Sequence, residues 1–496
     1  MVENKRKDER TGDSGGKSPK KLRVLLRTFG CQMNVYDSQV AAGLLEREGF
    51  EVLQDSAEAE PDPAGCLSGG ADIVIMNTCS VRDHAEQRVW GRLGRLGKEK
   101  KERPELIVAL MGCMVEEHRE KLFKRFPYLD LILGTRNISE LPALVRRIQA
   151  TRERVSRISR DGISIEYSEF TKRDSPYHAW LPIMTGCDKE CTFCIVPKTR
   201  GREVSMPAED VIREAKRLVA DGVKWITLLG QNVNSYGAKE RGVAGTDPGD
   251  VSLRTPDAVP LAGAQNVSFP QLLELLCAID GLERLSFTTS HPGDATEELF
   301  QVIAKNPKIS RRFHLPLQSG SDKILRRMKR LHTFADYKAR VDRLRELVPG
   351  ISVTTDIIVG FPGETEEDYL ATKRAIEEIR FDSAFIYKYS VRPGTPAERL
   401  TDDVPFETKS RRNNELLAIQ RSVTKAKNLE RVGREVSGFV EARAPKGEQS
   451  FVARTDFDGR VIFACEKDLI GEFVRLTLDS VSHETFHGTL VPRGDA

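Results

Sequence analysis

"GCDKECTFCIVPKTRG", running from Gly186 to Gly201, gathers Cys187, Cys191 and Cys194 into one turn flanked by glycine and basic residues, in a chain of 496 residues with nine cysteines. Zinc sites pair thiolates with further Cys or His ligands at a distance, and no fourth ligand follows this triplet at a useful spacing. Three thiolates in one loop suit a cubane iron–sulfur cluster that keeps one iron without a protein ligand. Such an open iron adds nothing to plain electron transfer and is suited to holding a substrate or cofactor. The bland reading is three packed or zinc-bound cysteines.

Downstream of this turn, "WITLLG", "LSFTTS", "FHLPLQ", "VTTDIIVG" and "AFIYKYS" read as strands, separated by helices such as "EDVIREAKRLVADG" and "EEDYLATKRAIEEI". With the unit at the cysteine turn, that makes about six βα repeats, enough for an open or partial barrel. Upstream, "LRVLLRTFG", "DIVIMNT", "LIVALMG" and "LDLILGT" are buried-strand candidates with helical stretches between them. That alternation predicts an open parallel α/β sheet covered on both faces. After the barrel, the Arg- and Lys-rich helix "SRRNNELLAIQRSVTKAKNLE" leads to "REVSGFVEAR", "SFVARTDF", "RVIFACE", "EFVRLTLDSV" and "ETFHGTLV". These short alternating segments predict a small all-β barrel.

A second triplet is dispersed. Cys31 follows "VLLRTFG", Cys79 follows "DIVIMNT" and Cys113 follows "LIVALMG". In an open parallel sheet, ligands gather beyond the carboxyl ends of the strands, so the three thiols are expected at one edge, close enough to share a second cluster. Any one of them alone would read as a packed thiol. Cys66, Cys277 and Cys465 read as structural.

The rest of the chain sets bounds. A chain of this length predicts two to four domains. With 39% hydrophobic and 30% charged residues it reads as a soluble globular protein. No apolar run reaches the roughly 20 residues of a membrane helix. The amino end lacks the apolar core of a signal peptide and reads as a disordered tail. A cytoplasmic setting is therefore expected, where clustered cysteines bind metal more often than they pair. A net charge of +3 is too mild to argue for nucleic acid. The basic stretch from Arg146 to Arg160 reads as a solvated linker or helix face, with phosphate contact as the other reading.

At the two triplets the sequence resembles the methylthiotransferase family of radical S-adenosylmethionine (SAM) enzymes, and the match runs over nearly the whole chain. The resemblance implies a disordered tail at 1–20, a methylthiotransferase amino-terminal domain at 21–148, a partial (βα)6 radical SAM core at 173–405 and a TRAM domain, a small RNA-linked β barrel, at 428–493. "LLGQNVNSYG", "HLPLQSGSDKILRRMKR", "TDIIVGFPGETEEDY" and "YSVRPGTPA" are similar to the branch that acts on isopentenylated adenosine beside the tRNA anticodon. Two features depart from the family pattern, the insert holding Cys66 and the long loop after Tyr236, and neither removes a ligand.

The resemblance further implies that Cys187, Cys191 and Cys194 hold a [4Fe–4S] cluster whose open iron binds SAM. The resulting 5′-deoxyadenosyl radical takes hydrogen from carbon 2 of the modified adenine, a position that acids and bases do not activate. Cys31, Cys79 and Cys113 would hold an auxiliary [4Fe–4S] cluster that supplies sulfur, and a second SAM would methylate it. Barrel loops at strand ends line such a site, which singles out Gly230, Gln231, Asn232, His291, Gln318 and Ser319 for SAM, each also readable as part of a tight turn. His291 and His314 read equally well as satisfied core histidines. Expected partners are a tRNA anticodon stem-loop carrying isopentenyladenosine and an external electron donor, with no membrane and a monomeric chain. RNA contact falls to the small barrel and its preceding basic helix. Phe439, Phe451, Phe457 and Phe463 are available there for stacking, although alternation makes most of them core. The other readings are the same chemistry on threonylcarbamoyladenosine or a ribosomal protein, and a non-catalytic metal-holding RNA-binding protein.

Overall fold

The apolar runs of the first 150 residues become buried parallel strands in the computed structural model, which describes residues 21–55, 67–80, 83–159, 169–237, 267–447 and 449–492. The amino-terminal tail, Cys66, Arg160 and positions 238–266 of the loop after Tyr236 lie outside the described residues. Strands β1 (Arg23–Thr28), β2 (Glu51–Asp55), β3 (Ile73–Thr78), β4 (Ile107–Gly112), β5 (Leu131–Leu133) and β6 (Val155–Arg157) form one sheet in the order β2-β1-β3-β4-β5-β6. All its pairings are parallel. Every residue of β3 and β4 is buried, as expected for strands covered on both faces. Alternate residues serve opposite cores: Ile73, Ile75, Ile107 and Ala109 pack on one face, and Val74, Met76, Val108 and Leu110 on the other. The expectation missed β2 and β6. Both are edge strands paired on one side only, so neither needs a continuous apolar run.

Six further parallel strands carry the middle of the chain. Trp225–Leu229 lies between His178–Pro182 and Arg284–Phe287, and Ser352–Val359 lies between Arg312–His314 and Ser383–Lys388. A parallel bridge from Leu285 to Ile309 links the two halves. With helices after each strand, this is the expected partial (βα)6 barrel. The strand expected across "FHLPLQ" stops at His314, two residues before Pro316, which lacks an N–H for the ladder.

The chain ends in a closed barrel of five strands, Glu435–Arg443, Ser450–Thr455, Arg460–Ala464, Phe473–Ser482 and Thr485–Leu490. Phe439, Phe451 and Phe463 are buried in it, so these rings are core. Phe457 is partly buried and carries the Arg431 guanidinium over its face at 4.5 Å. Much of the basic charge on the preceding helix, Phe406–Leu429, is engaged inside the protein: Arg412 with Glu364, Lys409 with Asp402 and Lys427 with Asp382.

The small barrel docks at the floor of the larger one, against residues that begin strands. Arg284, 3% exposed, donates from Nη1 to the carbonyls of Arg454 (2.8 Å) and Thr455 (3.3 Å), and from Nη2 to Ser437 (3.4 Å). Its guanidinium also lies over the rings of Trp225 and Phe473. Burial lowers its pKa to about 10, so it stays charged at neutral pH. Arg284→Ala strips this charge and leaves carbonyls unmet, a loss of about 3 kcal/mol. The expected result is a clearly lower urea midpoint for the full chain, whereas Arg147→Ala, at a surface ion pair, changes stability by less than ~0.5 kcal/mol. Equal midpoints for the two variants would contradict this assignment.

Candidate metal centre

Three adjacent strands deliver the first triplet. Thr28 lies opposite Asn77, and Thr78 opposite Gly112, so Cys79 and Cys113 leave neighbouring strands side by side. Strand spacing sets that separation at about 4.8 Å. Cys31 caps the helix Gln32–Arg47. The turn before it has no room for a side chain: at Gly30 (φ +154°), a Cβ would meet Asn34 Oδ1 at 2.5 Å and Cys79 Cβ at 2.7 Å. At Gly112 (φ +96°), a Cβ would collide with Asn77 Oδ1 and Thr78 O.

A buried amide network holds the three turns together. Cys31 N donates to Asn34 Oδ1 (3.4 Å), while Asn34 Nδ2 donates to Asn77 Oδ1 (3.0 Å) and Thr78 O (3.1 Å). Asn77 Nδ2 returns to Asn34 O (2.8 Å) and Ser38 Oγ (2.9 Å), and Thr78 Oγ1 donates to Met111 O (2.7 Å). Asn34, Asn77 and Thr78 are fully buried. The Cys31 thiol is pulled down to about 6 by its hydrogen bond with Cys79, against its burial and with help from Arg200. Burial pushes the Cys113 thiol up, opposed by the same arginine.

The second triplet sits in a loop closed at its base by the antiparallel pair Met184–Thr185 and Val204–Ser205. Inside it, Cys187 N donates to Gly201 O (3.2 Å) and Cys194 N to Cys191 O (3.0 Å). Lys189 N donates to Cys187 Sγ (3.4 Å), and Arg330 Nη1 to Cys191 Sγ (3.5 Å). Burial raises Cys187 to about 11, and burial together with the charge of Cys191 raises Cys194 to about 12. These thiols stay protonated until a metal displaces the proton.

Both triplets reach one cavity of about 320 Å³, whose wall includes Cys31, Cys79 and Cys194. Soft thiolates without an added carboxylate or imidazole suit iron–sulfur chemistry. Spacing argues the same way, because a single tetrahedral ion draws thiolates to roughly 3.8 Å of one another. Among the described residues, three ligand atoms within 4.8 Å of one another occur at Glu86, Glu117 and His118, and not at either cysteine triplet. Glu86 is itself engaged, accepting from Arg392 Nη1 (2.9 Å) and paired with His118 Nε2 (2.8 Å).

Of the residues singled out for SAM, Gln318 lines the cavity, with φ +75° and a buried Oε1 that has no partner. Gln231 accepts from Gly186 N with its side chain and so braces the cysteine loop. Asn232 Nδ2 donates to Asp294 Oδ2 (2.7 Å), the other oxygen of that carboxylate pairs with Lys189, and Asn232 Oδ1 is buried and unpartnered. His291 accepts from Gly293 N through Nδ1, leaves Nε2 unpartnered and is driven by burial to about 2. Gly230 lies against Met184. The Ser319 hydroxyl, fully buried, meets Thr372 and Ser321 N. His314 lines the cavity, paired with Asp356 at 3.3 Å and Thr354 at 2.9 Å. Cys277 is buried in its helix and Cys465 is half-buried.

Sequence reasoning passed over other lining residues: Arg312, Asp356, Phe385, Tyr387, Lys388 and Arg392. For Arg312, Asp356, Phe385 and Tyr387 the signal was the period-two alternation of strands already identified, in which 312 and 314, or 385 and 387, share a face. Lys388 has the opposite parity and Arg392 lies past the strand, so alternation points to neither.

Two family models match the chain: the radical SAM superfamily over residues 181–376, and the uncharacterized protein family UPF0004 over residues 23–134. A protein of Dictyoglomus thermophilum named tRNA-2-methylthio-N(6)-dimethylallyladenosine synthase is 40% identical over 470 residues, covering 94% of this chain and 98% of that protein. A protein of the same name from Syntrophomonas wolfei is 40% identical over 478 residues, covering 96% and 99%. Among solved structures, a radical S-adenosylmethionine methyltransferase from Kitasatospora setae aligns with a TM-score of 0.52 at 16% identity, over 76% of this chain and 75% of that one. That likeness is one of fold.

Asn34→Ala removes the hub of the amide network and leaves Thr78 O and Asn77 Oδ1 without their donor, a loss of about 2–4 kcal/mol. In the metal-free chain, Cys79, now 1% exposed, should alkylate with iodoacetamide several-fold faster in the variant. An unchanged alkylation rate would show that the network does not hold the turns.

Proposed function

The chain belongs to the tRNA-2-methylthio-N(6)-dimethylallyladenosine synthases, a family of radical SAM enzymes, and we propose that it adds a methylthio group to carbon 2 of N(6)-isopentenyl (dimethylallyl) adenosine next to the tRNA anticodon. Membership brings SAM and a [4Fe–4S] cluster with it. The observation that best supports the full reading is that Cys31 and Cys79 share one cavity with Cys194. Sulfur supply and radical generation then face the same substrate.

In this reading Cys187, Cys191 and Cys194 hold the SAM-binding cluster, and Cys31, Cys79 and Cys113 hold a second one. Bound there, the clusters supply a low-potential electron for cleaving SAM and sulfur for insertion. The chain's own groups do the positioning. Gln318 Oε1 and Asn232 Oδ1, buried and unpartnered, are acceptors for the polar atoms of SAM. Phe385, 42% exposed and lining the cavity, offers a stacking face for the adenine, as aromatic side chains do for unstacked bases. His314 is held by Thr354 and Asp356 on the same wall. No helix among the described residues is long and apolar enough to cross a membrane. We take the setting as cytoplasmic, the chain as a monomer and the electron donor as external.

Two measurements test this reading. Mass spectrometry of tRNA nucleosides from a strain lacking the gene should show isopentenyladenosine in place of its 2-methylthio form, with the methylthio form restored by the intact gene. Persistence of that nucleoside without any second copy would refute the substrate. Anaerobic reconstitution should load about eight irons per chain, and Cys79→Ala about four, with SAM cleavage to 5′-deoxyadenosine retained. Cys191→Ala should lose the other four irons and SAM cleavage together. A Cys79→Ala chain that still holds about eight irons would remove the second cluster.

A further inference from the structure

Arg200 reaches the first triplet from the loop of the second. It stands six residues after Cys194, just past the short helix Val196–Thr199. Its Nη2 donates to Asp37 Oδ2 at 2.6 Å, and both side chains are nearly inaccessible, at 3% and 4%. Asp37 lies on the helix that Cys31 caps. Burial works against a charged guanidinium, and Asp37, Cys113 and Cys31 outweigh it, holding Arg200 well above its ordinary range.

One donor remains unaccounted for. Arg200 Nη1 is buried and has no hydrogen-bond partner. A buried N–H left unmet costs about 1–3 kcal/mol, and the groups that act on this side chain besides Asp37 are the thiols of Cys113 and Cys31. Sulfur atoms carrying negative charge at that place would satisfy both the donor and the cation.

We propose that Arg200 is a positioning residue for the auxiliary cluster, its guanidinium aimed by Asp37 at the sulfurs held by Cys31, Cys79 and Cys113, and its charge setting that cluster's reduction potential. The proposal rests on reading the first triplet as a cluster site. Reduction adds a negative charge, which a buried cation stabilises, and hydrogen bonds to cluster sulfurs act in the same direction. Because Arg200 belongs to the loop of the other triplet, the environment of one cluster is built by the chain segment that holds the other.

The test uses the full-length chain carrying Cys187→Ala, Cys191→Ala and Cys194→Ala, reconstituted anaerobically with iron and sulfide, so that the first triplet is read alone. Potentials are followed by electron paramagnetic resonance during redox titration. Arg200→Gln should move the midpoint to more negative values and Arg200→Lys should recover most of the shift. Asp37→Asn, which leaves the cation uncompensated, should move the midpoint to more positive values. Opposite signs for Arg200→Gln and Asp37→Asn are the signature that loss of packing alone does not produce. Unchanged midpoints, or shifts of the same sign, overturn the proposal. Should Arg200→Gln lose its iron, Asp37→Asn still decides, since a positive shift supports the proposal and any other result sinks it. A parent chain that binds no iron overturns the cluster reading itself, and the proposal with it.

Discussion

Two buried ion pairs decide how the sheet meets the barrel. Asp37 and Arg200 are 2.6 Å apart, Glu86 and Arg392 are 2.9 Å apart, and all four side chains are at least nine-tenths buried. A charge removed from water tolerates few alternatives, and stranding one partner costs about 3–5 kcal/mol. Each pair joins the amino-terminal domain to the radical SAM core, one through the cysteine loop and the other just past the last barrel strand. Apolar contact alone, such as Leu229 packing into the sheet's core, would allow sliding. The ion pairs do not, so the carboxyl edge of the sheet is held over the barrel mouth.

That docking gives the cavity its character. One wall is sulfur, one is polar, with Arg312, His314 and Asp356, and one is aromatic, with Phe385, Tyr387 and Tyr389. The aromatic wall comes from the last strand, Ser383–Lys388, and the residue just after it; among the described residues that strand is paired on one side only. The cysteines of the two triplets are held by backbone turns and amides, which suits groups that repel as thiolates and are neutral as thiols.

Buried strands and their order were readable from the sequence, and side-chain pairings between distant segments were not. The apolar runs of β3 and β4 announce themselves because both faces are buried, and Cys31, Cys79 and Cys113 could be grouped because each ends a strand of one parallel sheet. β2 and β6 escaped because edge strands carry little apolar signal. Arg200 and Asp37 are 163 positions apart, and Arg392 and Glu86 are 306 apart. No spacing rule joins such residues before the fold is known. The helix Phe406–Leu429 looked available to RNA by composition, whereas Arg412 is buried against Glu364. Charge counted along a sequence does not reveal which cations are already satisfied. Gln231 and Ser319 teach the same lesson for polar side chains, since both are engaged by neighbouring segments.

The guanidinium of Arg284 leads to one further point. It occupies the seam between the large barrel and the terminal one, desolvated and bonded to main-chain carbonyls that only the folded terminal barrel presents. Melting that small module first would give up these bonds and the contact with Phe473, and would uncover Trp225. Architecture divides this protein into modules, yet the seam couples their melting, so the terminal barrel behaves as part of one cooperative body and not as a pendant on a hinge.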